Sequence, residues 1–111
     1  MRRQANSVKQ KLQDGQPVLG VVSRLGSPIA VELIGLSGFD FVWIDMEHAT
    51  TGLDTLEDLC RAAQAVDLPV LVRVPDRTPS NISRALDAGA SIVNVPLVET
   101  VEQAAEIADA A

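Results

Sequence analysis

The 111-residue chain is 47% hydrophobic and 22% charged, an ordinary balance for a globular protein and enough length for one small domain. A formal charge of −6 and an aromatic content of 3% argue against a protein built to grip phosphates or stack bases, so no nucleic-acid partner is expected. The single cysteine excludes an internal disulfide or a cysteine-rich metal site, and no apolar stretch is long enough for a membrane span.

The chain opens with Met1-Arg2-Arg3, but polar residues follow rather than the apolar core of a signal peptide, which predicts a cytoplasmic location. An amphipathic helix is expected over roughly residues 3 to 13, stopping near Asp14-Gly15. PVLGVVS (17–23) is the first of four short, β-branched, nearly continuous apolar runs; the others are FVWID (41–45), PVLVR (69–73) and SIVNVP (91–96). Such runs suit strands of a parallel sheet buried on both faces.

Helices are expected after each run. Ser27-Pro28 offers an N-cap followed by proline at the first helical position, with Ile29, Leu33 and Leu36 on one apolar face and Gly38 as the stop. Asp54 and Glu57 have capping-box spacing, ahead of Leu56, Leu59, Ala63 and Val66. Cys60 falls beside Leu56 and Ala63 and reads as a buried structural thiol rather than a nucleophile. Thr78-Pro79 starts the next helix, with Ile82, Ala85 and Leu86 inward and Gly89 as the stop; Thr100 and Gln103 form a capping box before the last.

The order is a helix and then βα four times. Strand starts recur about every 20 to 30 residues, the length of a βα unit, which predicts an α/β fold with a parallel sheet and right-handed crossovers. Four such units are half of an eight-fold barrel, which needs about 200 residues or more to close. The expectation is a single partial domain over 1–111, the N-terminal half of a TIM barrel. An open flavodoxin-like sheet is the weaker reading, since a fifth strand and a glycine fingerprint are missing.

In parallel α/β folds chemistry collects at the C-terminal ends of the strands. The unusual polar residues fall there: Ser23-Arg24 after the first strand, Asp45, Glu47 and His48 after the second, Arg73 at the end of the third and Asn94 near the end of the fourth. His48 is the only histidine. Structural roles account for some of these residues equally well. Asp45 suits a turn cap, Arg73 an ion-pair partner for Asp45 or Glu47, and His48 a hydrogen-bonded turn residue. Arg24 and the pair Asp76-Arg77 read as polar loop residues, and the acidic residues of the last helix as a solvated face. No P-loop, GxGxxG, GxSxG or HExxH pattern is present. Asp45, Glu47 and His48 do not suit a shared metal, because neighbours in an extended strand point to opposite faces.

The segments GFDFVWIDMEHATT, LPVLVRVPD and LDAGASIVNVPLVETVEQA, in this order and spacing, resemble the HpcH/HpaI aldolase family over about residues 17 to 109. The resemblance rests on IDxEHA and VPxVET. It implies a metal-dependent class II pyruvate aldolase, which cleaves a 2-oxo acid reversibly to pyruvate and an aldehyde through a pyruvate enolate. It implies that His48 is the catalytic base, that Asp87 of ALDAGA pairs with His48 as a dyad, and that Arg73 binds the pyruvate or enolate oxygen. Asp45 and Glu47 match the acidic residues that orient the site. The resemblance also implies a divalent cation, magnesium or manganese and possibly cobalt. Its glutamate and aspartate ligands belong to the fifth and sixth strands, beyond residue 111, so no metal ligand is assigned in this chain. Homo-oligomers are implied as well. A tryptophan common near the end of the family's first strand is Val22 here. Two alternatives stay open: a citryl- or malyl-CoA lyase relative, and a non-catalytic half barrel that self-associates through its open edges.

Overall fold

A computed structural model describes residues 6–111. The elements are α1 (Ser7–Gln13), β1 (Gly20–Ser23), α2 (Pro28–Leu36), β2 (Phe41–Asp45), α3 (Leu53–Ala65), β3 (Val70–Arg73), α4 (Pro79–Ala88), β4 (Ile92–Asn94) and α5 (Val101–Ala110). The strands form one sheet in the order β1-β2-β3-β4, and every pairing is parallel. Each helix from α2 to α4 therefore carries the chain back from one strand's end to the next strand's start, as the βα rhythm predicts. The predicted helix start over residues 3 to 5 lies outside the described residues.

The strands are shorter than the apolar runs at defined places. Pro17, Pro69 and Pro96 lie outside the strands, consistent with residues that have no N–H to donate, although the Pro69 carbonyl accepts the Val42 N–H at 3.1 Å. β2, with no proline, matches its run from Phe41 to Asp45.

The core lies between one face of the sheet and the helices. Val42 and Ile44 of β2, Val70 and Val72 of β3, and Val74 beyond it pack with Val31, Leu56, Leu59, Cys60, Ala63, Ile82 and Ala85. Cys60 is buried as predicted, and desolvation pushes its thiol up to about 11, with a smaller push from Glu57. The other face of the sheet is only partly covered. Trp43, Leu71 and Ile92 are half-buried there, and Val22 is 55% exposed. The expectation of strands buried on both faces thus holds for one face only. The covered face carries a helix layer, and the other is the concave side that a barrel interior presents.

Two helix readings need correction. Ile29, Leu33 and Leu36 of α2 do share a face, but that face is exposed. α2 is apolar except at Glu32 and packs through Val31, Ile34 and Gly35 instead. A Cβ on Gly35 would stand 2.5 Å from Val66 Cγ2, so the glycine permits α2 to lie close against the end of α3. α3 begins at Leu53 behind Gly52, with no side-chain cap, so Asp54 lies inside the first turn and the Asp54–Glu57 box does not form. The other signals hold. Ser27 caps α2, Gly89 closes α4 with φ +119, and Thr100 with Gln103 forms a complete capping box on α5. No described helix is long and apolar enough to cross a membrane.

Candidate active site

Register builds the site. Asp45 pairs with Arg73, and Arg73 with Asn94, across the last rung of β2, β3 and β4. The two-residue period places Asp45 on the same face as Trp43, opposite Val42 and Ile44. The hydrophobic alternation that seats the core therefore turns the terminal polar rung toward the concave face.

Asp45 is fully buried and completely engaged. Its Oδ1 accepts the backbone N–H groups of Glu47 at 2.9 Å and His48 at 3.2 Å, and the Arg73 Nε–H at 3.0 Å. Its Oδ2 accepts from Arg73 Nη2 at 2.7 Å, and Arg24 Nη2 stands 3.6 Å away. The Arg73 hydrogen bonds hold the Asp45 carboxyl well below the usual carboxylate range, against the opposing cost of burial. The same pair raises Arg73, so it is a permanent cation. Both structural roles considered for Asp45 are thus real: it caps the turn after β2 and pairs with Arg73.

Arg73 is further held by Glu47, with Nε to Oε2 at 3.3 Å, and its Cζ lies 5.7 Å from the centroid of the Trp43 ring. Nη1 has no partner among the described residues, and the side chain keeps 23% of its exposure. The other oxygen of Glu47 faces His48 Nε2 at 3.3 Å. The His48 imidazole is mostly exposed. Arg73, Glu47 and His48 thus form a chain of contacts on one rim, anchored by Asp45.

The structure does not bring Asp87 to this rim. α4 starts beyond the C-terminal end of β3 and runs back for ten residues, about 15 Å, to Gly89. Asp87 lies in its last turn, just ahead of Ser91, whose N–H reaches Val70 O at the start of β3. Asp87 and His48 are therefore at opposite ends of the sheet, and one chain does not form the predicted dyad. Arg24 is an exposed loop residue as read, and its Nη2 also stands 3.6 Å from Asp45 Oδ2. Asp76 behaves as a loop residue, accepting from the Thr78 N–H and Asn81 Nδ2.

Trp43 escaped the sequence reading. Its signal was available, since period two puts it on the same face as Asp45. Val22, where the family resemblance expects a tryptophan, is the β1 partner of Trp43 in the register. The large aromatic therefore stands one strand over in the same layer.

The described residues do not fit a divalent metal. Asp45 spends its oxygens on N–H groups and Glu47 on Arg73 and His48, and no group of three histidine, cysteine or acidic side chains is placed to hold an ion among the described residues.

The profile of the HpcH/HpaI aldolase/citrate lyase family matches residues 19–111. The chain belongs to this family. It is 40% identical to the 5-keto-4-deoxy-D-glucarate aldolase of Klebsiella pneumoniae over 101 residues, covering 91% of this chain and 40% of that protein. It is 33% identical to the hydroxypyruvate/pyruvate aldolase of Roseobacter denitrificans over 102 residues, covering 92% of this chain and 40% of that protein. An HpcH/HpaI aldolase/citrate lyase family protein from Burkholderia cenocepacia superposes with a TM-score of 0.87 at 40% identity, covering 96% of this chain and 42% of that one. The citrate synthase SbnG superposes with a TM-score of 0.86 at 37% identity, covering 93% of this chain and 42% of that one. The chain thus spans about 40% of the length of its curated relatives. A four-stranded half of a barrel is the fold that corresponds to that share.

Proposed function

We propose that this chain contributes the enolate-binding and proton-transfer half of an aldolase site, acting on 2-oxo acids to release pyruvate and an aldehyde. The observation that carries this reading is the Arg73 guanidinium, clamped by Asp45 and with no partner on Nη1 among the described residues, on the same rim as an exposed histidine.

In cleavage, His48 accepts the proton of the C4 hydroxyl. The C3–C4 bond breaks, its electron pair becomes the C2–C3 double bond of the enolate, and the aldehyde carbonyl forms. Arg73 directs a fixed, permanently charged donor at the enolate oxygen, where negative charge develops. The enolate then takes at C3 the proton that His48 accepted and leaves as pyruvate, which restores His48 to its starting state. Asp45 and Glu47 do not react; they fix Arg73 and the His48 turn. A divalent metal has no donor set among the described residues. Asp87 has no role in this reading.

The test is deuterium uptake into the methyl group of pyruvate, followed by NMR with Mg²⁺ or Mn²⁺ supplied. Exchange is expected from the chain completed to a full barrel by the C-terminal part of a family relative, lost in Arg73→Ala and reduced by about 100-fold or more in His48→Ala. A folded, completed barrel that catalyses no exchange, or a His48→Ala variant of it that exchanges at the original rate, overturns the proposal. A citrate-forming relative superposes equally well, so citrate chemistry is the second reading. Turnover of citrate without exchange at pyruvate would select it.

A further inference from the structure

We propose that Trp43 is the positioning residue for Arg73. Its indole face holds the guanidinium in the orientation that leaves Nη1 free for an anionic oxygen of the substrate. The inference deepens the reading of Arg73 as an enolate- and carboxylate-binding group and rests on it.

Three observations carry it. The first is geometric. Arg73 Cζ lies 5.7 Å from the Trp43 ring centroid, within the range of a cation–π contact. Trp43 is two residues before Asp45 on β2, and the register pairs Asp45 with Arg73 and Trp43 with Leu71. The ring is therefore the diagonal neighbour of the guanidinium on the concave face.

The second concerns what remains mobile. The Asp45 carboxylate fixes Nε and Nη2 in a two-point clamp, and Glu47 adds a second contact to Nε. All of these contacts lie along one edge of the guanidinium. They leave the group free to hinge about that edge, and an aromatic face beside it limits the hinge. Leu71, the residue beside Trp43 in the sheet, has no comparable face.

The third is the choice of ring. The Trp43 Nε1–H is buried and has no acceptor among the described residues. A phenylalanine or leucine would occupy this layer without an orphaned donor. What an indole adds is the strongest cation-binding face of the aromatic side chains. Among the described residues, the cation that lies over it is the Arg73 guanidinium.

The experiment compares Trp43→Phe and Trp43→Leu with the unaltered protein, with Arg73→Ala as the reference for loss of the anion site. Oxalate, a planar dianion with the oxygen spacing of an enolised 2-oxo acid, is the probe. Binding is followed by calorimetry, and the Arg73 Nε–H and δ-proton resonances by NMR. In the unaltered protein the Arg73 δ protons are expected to be shifted upfield by the ring. Oxalate binding should weaken about threefold in Trp43→Phe and about tenfold in Trp43→Leu, with faster Nε–H exchange only in the latter. Retention by phenylalanine separates a cation-binding face from simple space filling.

Arg73 δ protons at unshifted positions in the unaltered protein overturn the proposal without any variant. So does a Trp43→Leu protein that binds oxalate as tightly as the original. If oxalate does not bind the unaltered protein at all, the functional reading fails instead. The Nε–H exchange rates then still decide whether Trp43 positions Arg73.

Discussion

Replacing Asp45 with asparagine tests the physical basis of the site. The side chain is fully buried and accepts from two backbone N–H groups and two Arg73 nitrogens. Asparagine keeps the shape and one carbonyl oxygen. If that oxygen stays on the Glu47 and His48 N–H groups, the new amide NH₂ faces Arg73 Nη2, donor against donor. A charge-assisted hydrogen bond is worth roughly 1.5–3 kcal/mol, so a loss of about 2 kcal/mol is expected at pH 7. Urea unfolding should show it as a midpoint about 1 M lower, taking a slope of about 2 kcal/mol per molar. The pH dependence gives the sharper check. A carboxyl of this type titrates near 3.9 when unfolded, and Asp45 is held well below that in the folded protein. Its contribution is therefore complete above the unfolded value and is lost as the pH falls from about 4 toward the folded value. The gap between the two proteins should narrow between about pH 5 and pH 2.5. Asp40 and Asp76 are also lowered, but they are present in both proteins and cancel in the difference. A gap under about 0.5 kcal/mol at pH 7, or one that stays constant down to about pH 2.5, refutes the clamp.

Gly89→Ala should destabilise the protein by about 2 kcal/mol and lower the thermal midpoint by about 10 °C, because φ is +119 and the new Cβ would stand 3.0 Å from Gln64 Nε2 and 3.1 Å from Cys60 Cβ. A midpoint within a degree or so of the original would show that the turn relaxes at no cost. Cys60, buried and with its thiol raised to about 11, should resist a disulfide reagent at pH 8 in the native protein and react at once in denaturant. Rapid native labelling would mean that α3 opens far more readily than its packing implies.

The sequence exposed those features whose cause is local. The run from Phe41 to Asp45 set β2 to its observed ends, and Gly89 and the Thr100–Gln103 box marked helix ends where the backbone needs them. The terminal polar rung was legible as well, because strand ends in a parallel sheet share one rim. What was not legible depends on what lies across from a residue. The periodicity of Ile29, Leu33 and Leu36 showed an apolar face on α2 but not that the core packs against the other side. The Asp54–Glu57 spacing was a valid cap pattern two residues too late, since Gly52 had already begun the helix. Asp87 carried a motif match, yet the direction of α4 places it at the far end of the sheet from His48. Arg24 and Trp43 each act through a partner on a neighbouring strand, and one strand's sequence does not reveal the register.

That register is where stability and chemistry become one problem. Val42 and Ile44 on β2, and Val70 and Val72 on β3, are all at or near zero exposure. A slip of one residue between these strands would turn one set outward and expose several buried side chains at once. The core therefore locks Asp45 opposite Arg73 far more firmly than their own hydrogen bonds do. It follows that Asp45→Asn should loosen the guanidinium without moving the strands. A cavity at Ile44, by contrast, should disturb the site through the backbone that carries Asp45. The two perturbations separate the clamp from the scaffold beneath it, because the first changes the orientation of Arg73 and the second changes where the rung lies.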